Sequence, residues 1–583
     1  MRKTITLVGI GGLLVKRVIG FILIVAMIMT SYSGCGSVRT KTPDSISIDS
    51  SKSASKNMPT TPISFSVYIG ETSTYTDNWD TPVAKKITEL TGVSLKIENA
   101  VGDAKQRISL MAASGDLPDM IFAKTYLNLL LDVNAVEKLD DLINQYGPNI
   151  KKLYGNELKR LKWSQQDPNI FCLGDFGVGD EDGDPVSGFC LQHAVVKEEG
   201  YPKIKTLKDF ENAIKNYYAK HPTFKGKDGK ERPTIPLLFN GNDWGYFISI
   251  SNPANLATGY TDDEWAIKLN PIEAKRHIIT DSNKEYFKWL NGMWNQNLID
   301  KESFTQQVEQ YKAKLSSGRV LGIIDASWNY EGEVHKALRS AGLEDRMYGR
   351  YPCTLNENIK YPEYQDKGYI GFGSGMAITS KCKDKIRAMQ FLNWMAGEEA
   401  QILTNWGIEV VHWTYDSRGK RVFLPEILKQ RNEDEGFGRK TGIGLYVYPW
   451  PRYGTAYRDS TGNPLSVNTI EELSKNYTQT EKDILSAYGV KLWKDLYPQK
   501  GEFPVKPYGA AWKIESSMSN EWIATSNKVT EISKRYCPKL IIAKPGEFDE
   551  IWIKFVKEME EAGVRDLEAQ FTMAVKDRMD LWK

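Results

Sequence analysis

Apolar and polar positions alternate with the periods of strands and helices through most of the chain after residue 62. Residues 63–69 (ISFSVYI) are rich in β-branched and aromatic side chains, which predicts a strand. Thr81 followed by Pro82 is typical of a helix start, and Gly92 is typical of its end. A second strand is predicted directly afterwards, at residues 93–97.

The next segment repeats this order of strand and helix. Residues 105–113 carry apolar side chains at helical spacing, and residues 119–123 (DMIFA) read as a third strand. An order of strand, helix, strand, helix, strand favours a parallel sheet covered by helices.

Further elements follow along the chain. Strands are predicted at residues 321–325 and 375–379, and helices at residues 208–218, 282–295, 383–403 and about 547–578. The body at residues 63–583 is too long for a single hydrophobic core, so at least two lobes are expected. No Pro/Gly-rich linker separates them, which predicts that the chain crosses between the lobes more than once.

The N-terminus has the pattern of an export signal. Arg2 and Lys3 precede an apolar run at residues 18–29, which is too short to span a bilayer comfortably. The residues before Cys35 resemble the lipobox of bacterial lipoproteins, with Tyr32 where the pattern prefers Leu. The alternative is a stray buried cysteine behind a membrane anchor.

We therefore expect residues 1–34 to be a lipoprotein signal peptide and Cys35 to carry the diacylglycerol. Residues 35–62 are poor in large apolar side chains, which predicts a flexible tether. The expected location is the extracellular face of the cell membrane, where two acyl chains give stable anchoring.

Composition excludes several classes of protein. The 583 residues are 41% hydrophobic and 26% charged with a net charge of +2, unlike a polytopic membrane protein or a basic nucleic-acid-binding chain. Aromatic residues are numerous, with 16 Trp, 29 Tyr and 20 Phe. The core accounts for most of these rings and leaves some for a binding surface.

The motifs of catalysis and metal binding are missing from the sequence. Five histidines form no H-E-x-x-H, no phosphate-binding P-loop occurs, and residues 371–375 (GFGSG) do not match G-x-S-x-G. The acidic residues 180–185 fit a solvated turn better than a calcium loop. We predict no cofactor, no metal and no enzymatic activity. The paired carboxylates of a glycan hydrolase need to be close in space and not in sequence, so the sequence leaves this class of enzyme open as an alternative.

The cysteines leave one question open. Cys172 and Cys190 lie in similar Phe-Cys-Leu triplets and could pair across a hairpin, or remain free. No C-x-x-C pair occurs, so zinc spacing is missing.

Several stretches together resemble the extracellular solute-binding proteins of ABC transporters, in particular the large sugar-binding lipoprotein branch of the LplA/LipO type. These stretches are residues 78–87, 113–121, 139–154, 371–392, 405–409, 538–544 and 548–562. The resemblance implies an α/β, two-lobed, periplasmic-binding-protein-like fold of type II, with helix-covered mixed sheets and the ligand between the lobes.

The lobe bounds that follow from this resemblance are approximate. In the body at residues 63–583, the first lobe is expected at 63–178 plus 372–425. The second is expected at 185–370 plus much of 430–583.

The implied function is that of a monomeric, lipid-anchored substrate-binding protein of an ABC importer. It would capture an oligosaccharide and deliver it to the permease subunits, without nucleic acid as a partner. A secreted glycan hydrolase and a peptide- or metal-binding lipoprotein remain the alternatives.

Aromatic and polar residues are the candidate ligand contacts. Trp328 follows the strand at residues 321–325, where related maltose-type proteins place a sugar-stacking Trp; the alternative is a core Trp that closes the sheet. Lys124 and Tyr126 follow the third strand, where open α/β sheets bind ligands, and are otherwise ordinary loop residues. The weaker candidates are Trp79 in a polar loop, Trp244 among polar residues and glycines, Tyr330, Trp406 after a helix and, in the exposed-looking corner at residues 448–451, Trp450.

One segment departs from the family pattern. Many relatives have a calcium loop rich in oxygen ligands where this chain has residues 224–236 (FKGKDGKERPTIP). Lysines and Arg232 replace most of the carboxylates that a hard cation needs, so we predict that no calcium binds there.

Overall fold

The structure is a computed structural model that describes residues 59–72, 78–179, 183–242, 244–434 and 436–583. The described residues fall within one unit of the chain, residues 50–583. The predicted signal peptide, Cys35 and nearly all of the tether lie outside the described residues, as does part of the acidic segment 180–185. None of the described helices has the length and apolar content that crossing a membrane requires.

Short strands supply the frame of the fold. In chain order they are β1 (Ile63–Thr72), β2 (Val93–Ala100), β3 (Met120–Phe122), β4 (Leu173–Gly174), β5 (Gly177–Val178), β6 (Ser187–Gln192), β7 (Thr223–Lys225), β8 (Glu231–Pro233), β9 (Ile235–Leu238), β10 (Trp265–Leu269), β11 (Ile272–Arg276), β12 (Val320–Ala326), β13 (Tyr348–Tyr351), β14 (Gly375–Ile378), β15 (Trp413–Tyr415), β16 (Arg421–Phe423) and β17 (Arg452–Tyr453).

Helices cover these strands and fill the C-terminal part. They are α1 (Pro82–Thr91), α2 (Ala104–Ser114), α3 (Leu127–Leu131), α4 (Asp140–Tyr146), α5 (Pro148–Tyr154), α6 (His193–Glu198), α7 (Leu207–Lys220), α8 (Asn252–Ala257), α9 (Asp281–Asn295), α10 (Val308–Ser316), α11 (Ser327–Ser340), α12 (Lys385–Met395), α13 (Glu398–Trp406), α14 (Pro425–Glu433), α15 (Phe437–Thr441), α16 (Ile470–Lys475), α17 (Gln479–Ala487), α18 (Ala511–Ile514), α19 (Asn520–Ile542), α20 (Phe548–Glu561) and α21 (Val564–Leu581).

The first sheet has the strand order β2-β1-β3-β14-β4. β1 pairs in parallel with both β2 and β3, which confirms the expected parallel strand–helix alternation. β14 returns antiparallel to β3 and brings a later part of the chain into this sheet. Residues from the corner near Trp450 also pack in its core, so the segment around residue 450 lies with the first sheet.

Local signals set the ends of α1. The Thr81 side chain accepts a hydrogen bond from the Ala84 amide at 3.1 Å, and Pro82 occupies the first turn. Gly92 ends the helix with φ of 68°, and a Cβ at this position would clash with the Thr60 carbonyl oxygen. A side chain at Gly92 would therefore be both strained and obstructed.

The second sheet has the strand order β13-β6-β12-β9 and a core of its own. β9 and β12 are parallel, whereas β6 is antiparallel to both of its neighbours. Every residue of β12 is buried, as expected for a central strand covered on both faces.

Helix α21 connects the two cores. At its start Val564 is buried in the core of the second sheet, and further along the Thr572 hydroxyl accepts a hydrogen bond from the Ala274 amide in β11 at 3.0 Å. At its C-terminal end, Arg578 donates to the carbonyls of Lys162 and Trp163 at 2.8 and 2.6 Å, beside the first sheet. One rigid helix thus contacts both halves of the molecule.

Two predicted helices are each divided in the structure. The segment 383–403 forms α12 and α13, which are separated at Gly397, where a Cβ would lie 2.8 Å from the Asn149 side-chain amide. The final helix is divided into α20 and α21 at Gly563, whose φ of 92° reverses the chain. Close approach and left-handed backbone account for the two glycines.

The sheet topology excludes the hairpin that would have paired Cys172 with Cys190. Cys172 precedes β4 at the first sheet, whereas Cys190 belongs to β6 in the second sheet. Both are buried free thiols, and burial raises the pKa of each to about 12, so neither is a thiolate at neutral pH.

A buried histidine makes the second core sensitive to acid. His193 is fully buried and stacks on Trp493 at a ring separation of 5.8 Å, and neither of its ring nitrogens has a hydrogen-bond partner. Burial, followed by the nearby His335, lowers the pKa of His193 to about 3. The unfolded chain, with an ordinary histidine pKa near 6.5, therefore binds this proton more readily, and folding stability decreases as pH falls below about 6.5.

We predict that His193→Phe reduces this acid sensitivity. The difference in unfolding free energy between pH 7 and pH 4 should shrink by about 2–3 kcal/mol, measured by denaturant unfolding at each pH. Val196→Ala is the control, because it removes buried methyl groups from the same helix without removing a titrating group. If both variants show pH dependences parallel to that of the wild type, His193 does not carry the effect.

Candidate functional site

The topology brings three strand ends together at one edge of the first sheet. β4 pairs antiparallel with β14, which is itself antiparallel to β3, so β4 runs parallel to β1 and β3. Glu71, Lys124 and Asp175 lie at or directly after the carboxyl ends of these three strands. Open α/β sheets bind ligands at such an edge.

The second sheet forms an equivalent edge. β9 and β12 are parallel, and the chain beyond them leads to Trp244 and to Trp328 in the first turn of α11. Val186, just before the antiparallel β6, accepts a hydrogen bond from the Ser327 amide at 2.7 Å. The start of β6 therefore closes the same edge.

A short connection holds the two edges near each other. The chain leaves the first edge at Phe176 and reaches the second at Val186, ten residues later. Ten residues span at most about 36 Å even when fully extended. Phe176 and Val186 therefore lie no more than about 36 Å apart.

Two exposed indoles dominate the second edge. Trp328 is 62% exposed and Trp244 is 54% exposed, and their ring centroids are 6.0 Å apart at an angle of 84°. Trp244 also contacts Phe247 at 5.9 Å. Large aromatic side chains are normally covered, so a pair left open at a strand edge is available to stack on a ligand.

Asp325 fixes the helix turn that presents Trp328. Its buried carboxylate accepts hydrogen bonds from the Tyr311 hydroxyl at 2.7 Å, the Ala326 amide at 2.7 Å and the Asn329 side chain at 3.0 Å. Burial raises the pKa of Asp325 to about 6, against the lowering effect of these donors. The network orients the start of α11, and therefore the indole of Trp328, before any ligand arrives.

The first edge is polar. Lys124 forms an ion pair with Glu71 at 2.7 Å and has a left-handed φ of 52°. Tyr448 is hydrogen-bonded to the Glu71 carboxylate, and burial raises the pKa of its phenol. Arg452 lies 5.7 Å from the Tyr448 ring and donates to the Asp175 carbonyl. The first edge therefore presents both hydrogen-bond donors and acceptors.

Two further predicted residues are half-buried near the first sheet. Tyr126 ends the short 3-10 helix Lys124–Tyr126 and packs against neighbouring apolar side chains. Trp79 donates from its indole nitrogen to the Thr88 hydroxyl at 2.8 Å and contacts Tyr446 at 5.1 Å. Ligand contact by these two residues stays a prediction.

Three predicted ligand contacts are corrected because their rings lie in the core. Tyr330, Trp406 and Trp450 are at most 2% exposed. Trp406 stacks on Phe423 at 4.9 Å and donates to a backbone carbonyl, while Trp450 packs edge-on against Phe391 at 5.7 Å. A ring covered on both faces cannot stack on a sugar.

Sequence reasoning missed some residues at the first edge. The sequence pattern does not distinguish Trp512 from a core tryptophan, and it does not single out Arg452, which lies beside the corner at residues 448–451. The signal for Trp512 was weak: small residues precede it in the Gly-Ala-Ala-Trp-Lys run at 509–513.

The predicted calcium-free loop folds as the β7–β8 hairpin. Asp228 accepts hydrogen bonds from Arg232, and this guanidinium holds the pKa of the Asp228 carboxyl well below its usual range. The positively charged Arg232 side chain thus pairs with a carboxylate that a metal ion would otherwise bind. Within the described ranges, no three His, Cys, Asp or Glu side chains are close enough together to hold a metal ion.

Comparison with known proteins identifies the class. Residues 83–406, more than half of the chain, match the family described as bacterial extracellular solute-binding protein, and the chain belongs to that family. A curated relative, the fructooligosaccharide ABC transporter substrate-binding protein FusA of Streptococcus pneumoniae, is 27% identical over 246 residues, which is 40% of this chain and 44% of the relative. The aligned part thus spans less than half of that relative.

Solved structures share the fold. FusA of S. pneumoniae in complex with kestose superposes with a TM-score of 0.61 at 18% identity, covering 88% of this chain and 99% of FusA. An extracellular solute-binding protein from Bifidobacterium longum subsp. infantis gives 0.64 at 15% identity, covering 89% and 99%. The alginate-binding protein AlgQ2 without calcium ion gives 0.62 at 16%, covering 88% and 98%. The predicted two-lobed α/β fold is confirmed.

We predict that calcium does not contribute to the stability of this protein. Adding a chelator such as EDTA, or millimolar calcium, should leave the thermal unfolding midpoint unchanged, because the Asp228 carboxylate is already paired with the Arg232 guanidinium. The variant Lys230→Asp/Arg232→Asp restores carboxylates and should gain a midpoint that rises with calcium. A wild-type midpoint that falls in chelator would contradict the prediction.

Proposed function

We propose that this protein is the lipid-anchored substrate-binding component of an ABC importer and captures an oligosaccharide between its two lobes. The exposed pair of Trp328 and Trp244 at the carboxyl edge of the second sheet carries this proposal. The family to which the chain belongs binds solutes, which favours capture over chemistry.

The chemistry of the two edges suits a carbohydrate. A pyranose or furanose has an apolar C–H face that stacks on an indole, while its hydroxyls need donors and acceptors. The second edge offers the open indoles, and the first offers the Glu71, Lys124 and Arg452 side chains. A ligand that contacts both edges binds the closed arrangement more tightly than the open one and shifts the population towards it.

The remaining parts of the proposal rest on the sequence and on relatives. Cys35 would carry the lipid that holds the monomeric protein at the outer face of the membrane, and permease subunits would receive the closed form. The relative FusA is named for a fructooligosaccharide ABC transporter, which supports a sugar as the cargo. The protein transforms no substrate and needs no cofactor in this scheme.

Thermal-shift screening followed by calorimetry tests the proposal. The probes are kestose and nystose together with malto-, xylo- and manno-oligosaccharides, and at least one series should raise the unfolding midpoint. The bound sugar should be recovered intact after prolonged incubation, since no turnover is expected. Cleavage of the sugar would instead indicate a hydrolase.

We predict that Trp328→Ala weakens binding of the sugar found in this screen by about tenfold or more, equivalent to about 1.4 kcal/mol. The loss follows from removing one stacking face at the second edge. Trp294→Ala is the matched control, because Trp294 is a half-buried ring packed against the second core and Phe304. Equal affinities of the Trp328 variant and the wild type would remove this ring from the site.

A further inference from the structure

A third partly open aromatic ring, that of Trp512, lies at the first edge. It belongs to the short helix α18 and is half-buried, with its ring 5.9 Å from that of Phe176. Phe176 follows β4 directly and is also half-buried. Two aromatic rings therefore remain partly open among the polar groups of the first edge.

A buried ion pair holds Trp512 in this position. Lys513, next to it, pairs with Asp175 at 3.3 Å, and both side chains are buried. The Ser374 hydroxyl donates to the other oxygen of the Asp175 carboxylate at 2.9 Å. The Lys513 ammonium also lies 4.6 Å from the Trp512 ring and 4.7 Å from the Phe176 ring, which orients both rings.

The polar groups of the first edge surround the same position. The pKa of Lys513 is lowered, chiefly by burial. The Asp175 carboxylate opposes this shift, and the positive charge of Lys124 adds to it. Arg452 donates to the Asp175 carbonyl, and Tyr448 and Lys124 both contact Glu71. A sugar ring on Trp512 would thus find hydroxyl partners at its edge.

The segment that carries Trp512 is also anchored on its other side. Glu515, three residues further on, accepts a hydrogen bond from the Trp265 indole at 2.6 Å and lies 3.5 Å from the buried Arg276 guanidinium. Ser517 accepts a hydrogen bond from Arg578 of α21 at 3.3 Å. Ordering Trp512 is therefore achieved before binding and adds little cost when a ligand arrives.

We propose that Trp512 and Phe176 form a second sugar subsite at the first edge, separate from the Trp328–Trp244 subsite at the second edge. This deepens the proposed function and rests on it. Because the two subsites belong to different sheets, a single sugar unit occupies only one of them. A ligand that occupies both subsites is an oligomer, and Lys513 and Asp175 act as positioning residues for the first-edge subsite.

The dependence of affinity on chain length tests this proposal. Calorimetry measures dissociation constants of the wild type for sucrose, kestose and nystose and for the malto-, xylo- and manno-series from one to four units. In the series that binds, affinity should increase at least tenfold from the shortest to the longest member. Trp512→Ala should abolish most of that increase while changing the dissociation constant of the shortest bound member by less than threefold.

Trp512→Phe and Trp294→Ala complete the comparison. The phenylalanine variant keeps an aromatic face and should retain most of the length dependence, whereas the Trp294 control should match the wild type. A second readout is independent of affinity: the ligand-induced change in tryptophan fluorescence should be smaller in Trp512→Phe than in the wild type. An unchanged fluorescence response would contradict contact at Trp512.

The positioning residues have their own variant. Asp175→Asn/Lys513→Gln replaces the ion pair by neutral groups that can still hydrogen-bond, so no buried charge is left unpaired. It should lose the length dependence as Trp512→Ala does, with the shortest member still bound. A variant that unfolds at a lower temperature but keeps the length dependence would assign the pair to stability alone.

The outcomes separate this proposal from the proposed function. If the wild type binds none of the sugars, both fail. If Trp328→Ala weakens binding but Trp512→Ala retains the full length dependence, only the first-edge subsite is refuted.

Discussion

Parallel pairing of strands places their carboxyl ends along one edge of a sheet, and in this protein the constraint operates twice. In the first sheet it collects the ends of β1, β3 and β4, and in the second it collects those of β9 and β12. The connection from Phe176 to Val186 is only ten residues long, which limits the distance between these two residues to about 36 Å. Parallel pairing thus brings residues that are far apart in the sequence together within each edge.

The two edges differ in chemistry. The second offers open indoles and is oriented by the buried Asp325 network, whereas the first combines charged groups with two half-buried rings. An exposed indole lacks about 2 kcal/mol of the stabilisation that burial would give it. Such rings make physical sense where a ligand periodically covers them, and the hydroxyls of a carbohydrate suit the charged groups opposite.

Rigid connections accompany this arrangement. α21 contacts both cores, and the segment with Lys513 and Glu515 forms ion pairs on two sides. Buried pairs of this kind add little net stability, but losing one partner leaves an uncompensated charge. Their contribution here is geometric, because they fix the direction of the Trp512 ring.

The sequence by itself determined the strand–helix alternation, the caps at Thr81 and Gly92 and the parallel pairing of the first three strands, because these depend on local propensity and on hydrophobic period. The two-lobed class followed from the resemblance to solute-binding proteins. The sequence also identified Trp328 as a ring that follows a strand and Trp244 as a ring among polar residues and glycines. Only the tertiary structure decided that Trp406, Trp450 and Tyr330 are core residues and that Trp512 joins Phe176, since a tryptophan has the same local pattern in either environment. Burial depends on which distant segments arrive beside a ring, and that information is not contained in its sequence neighbours.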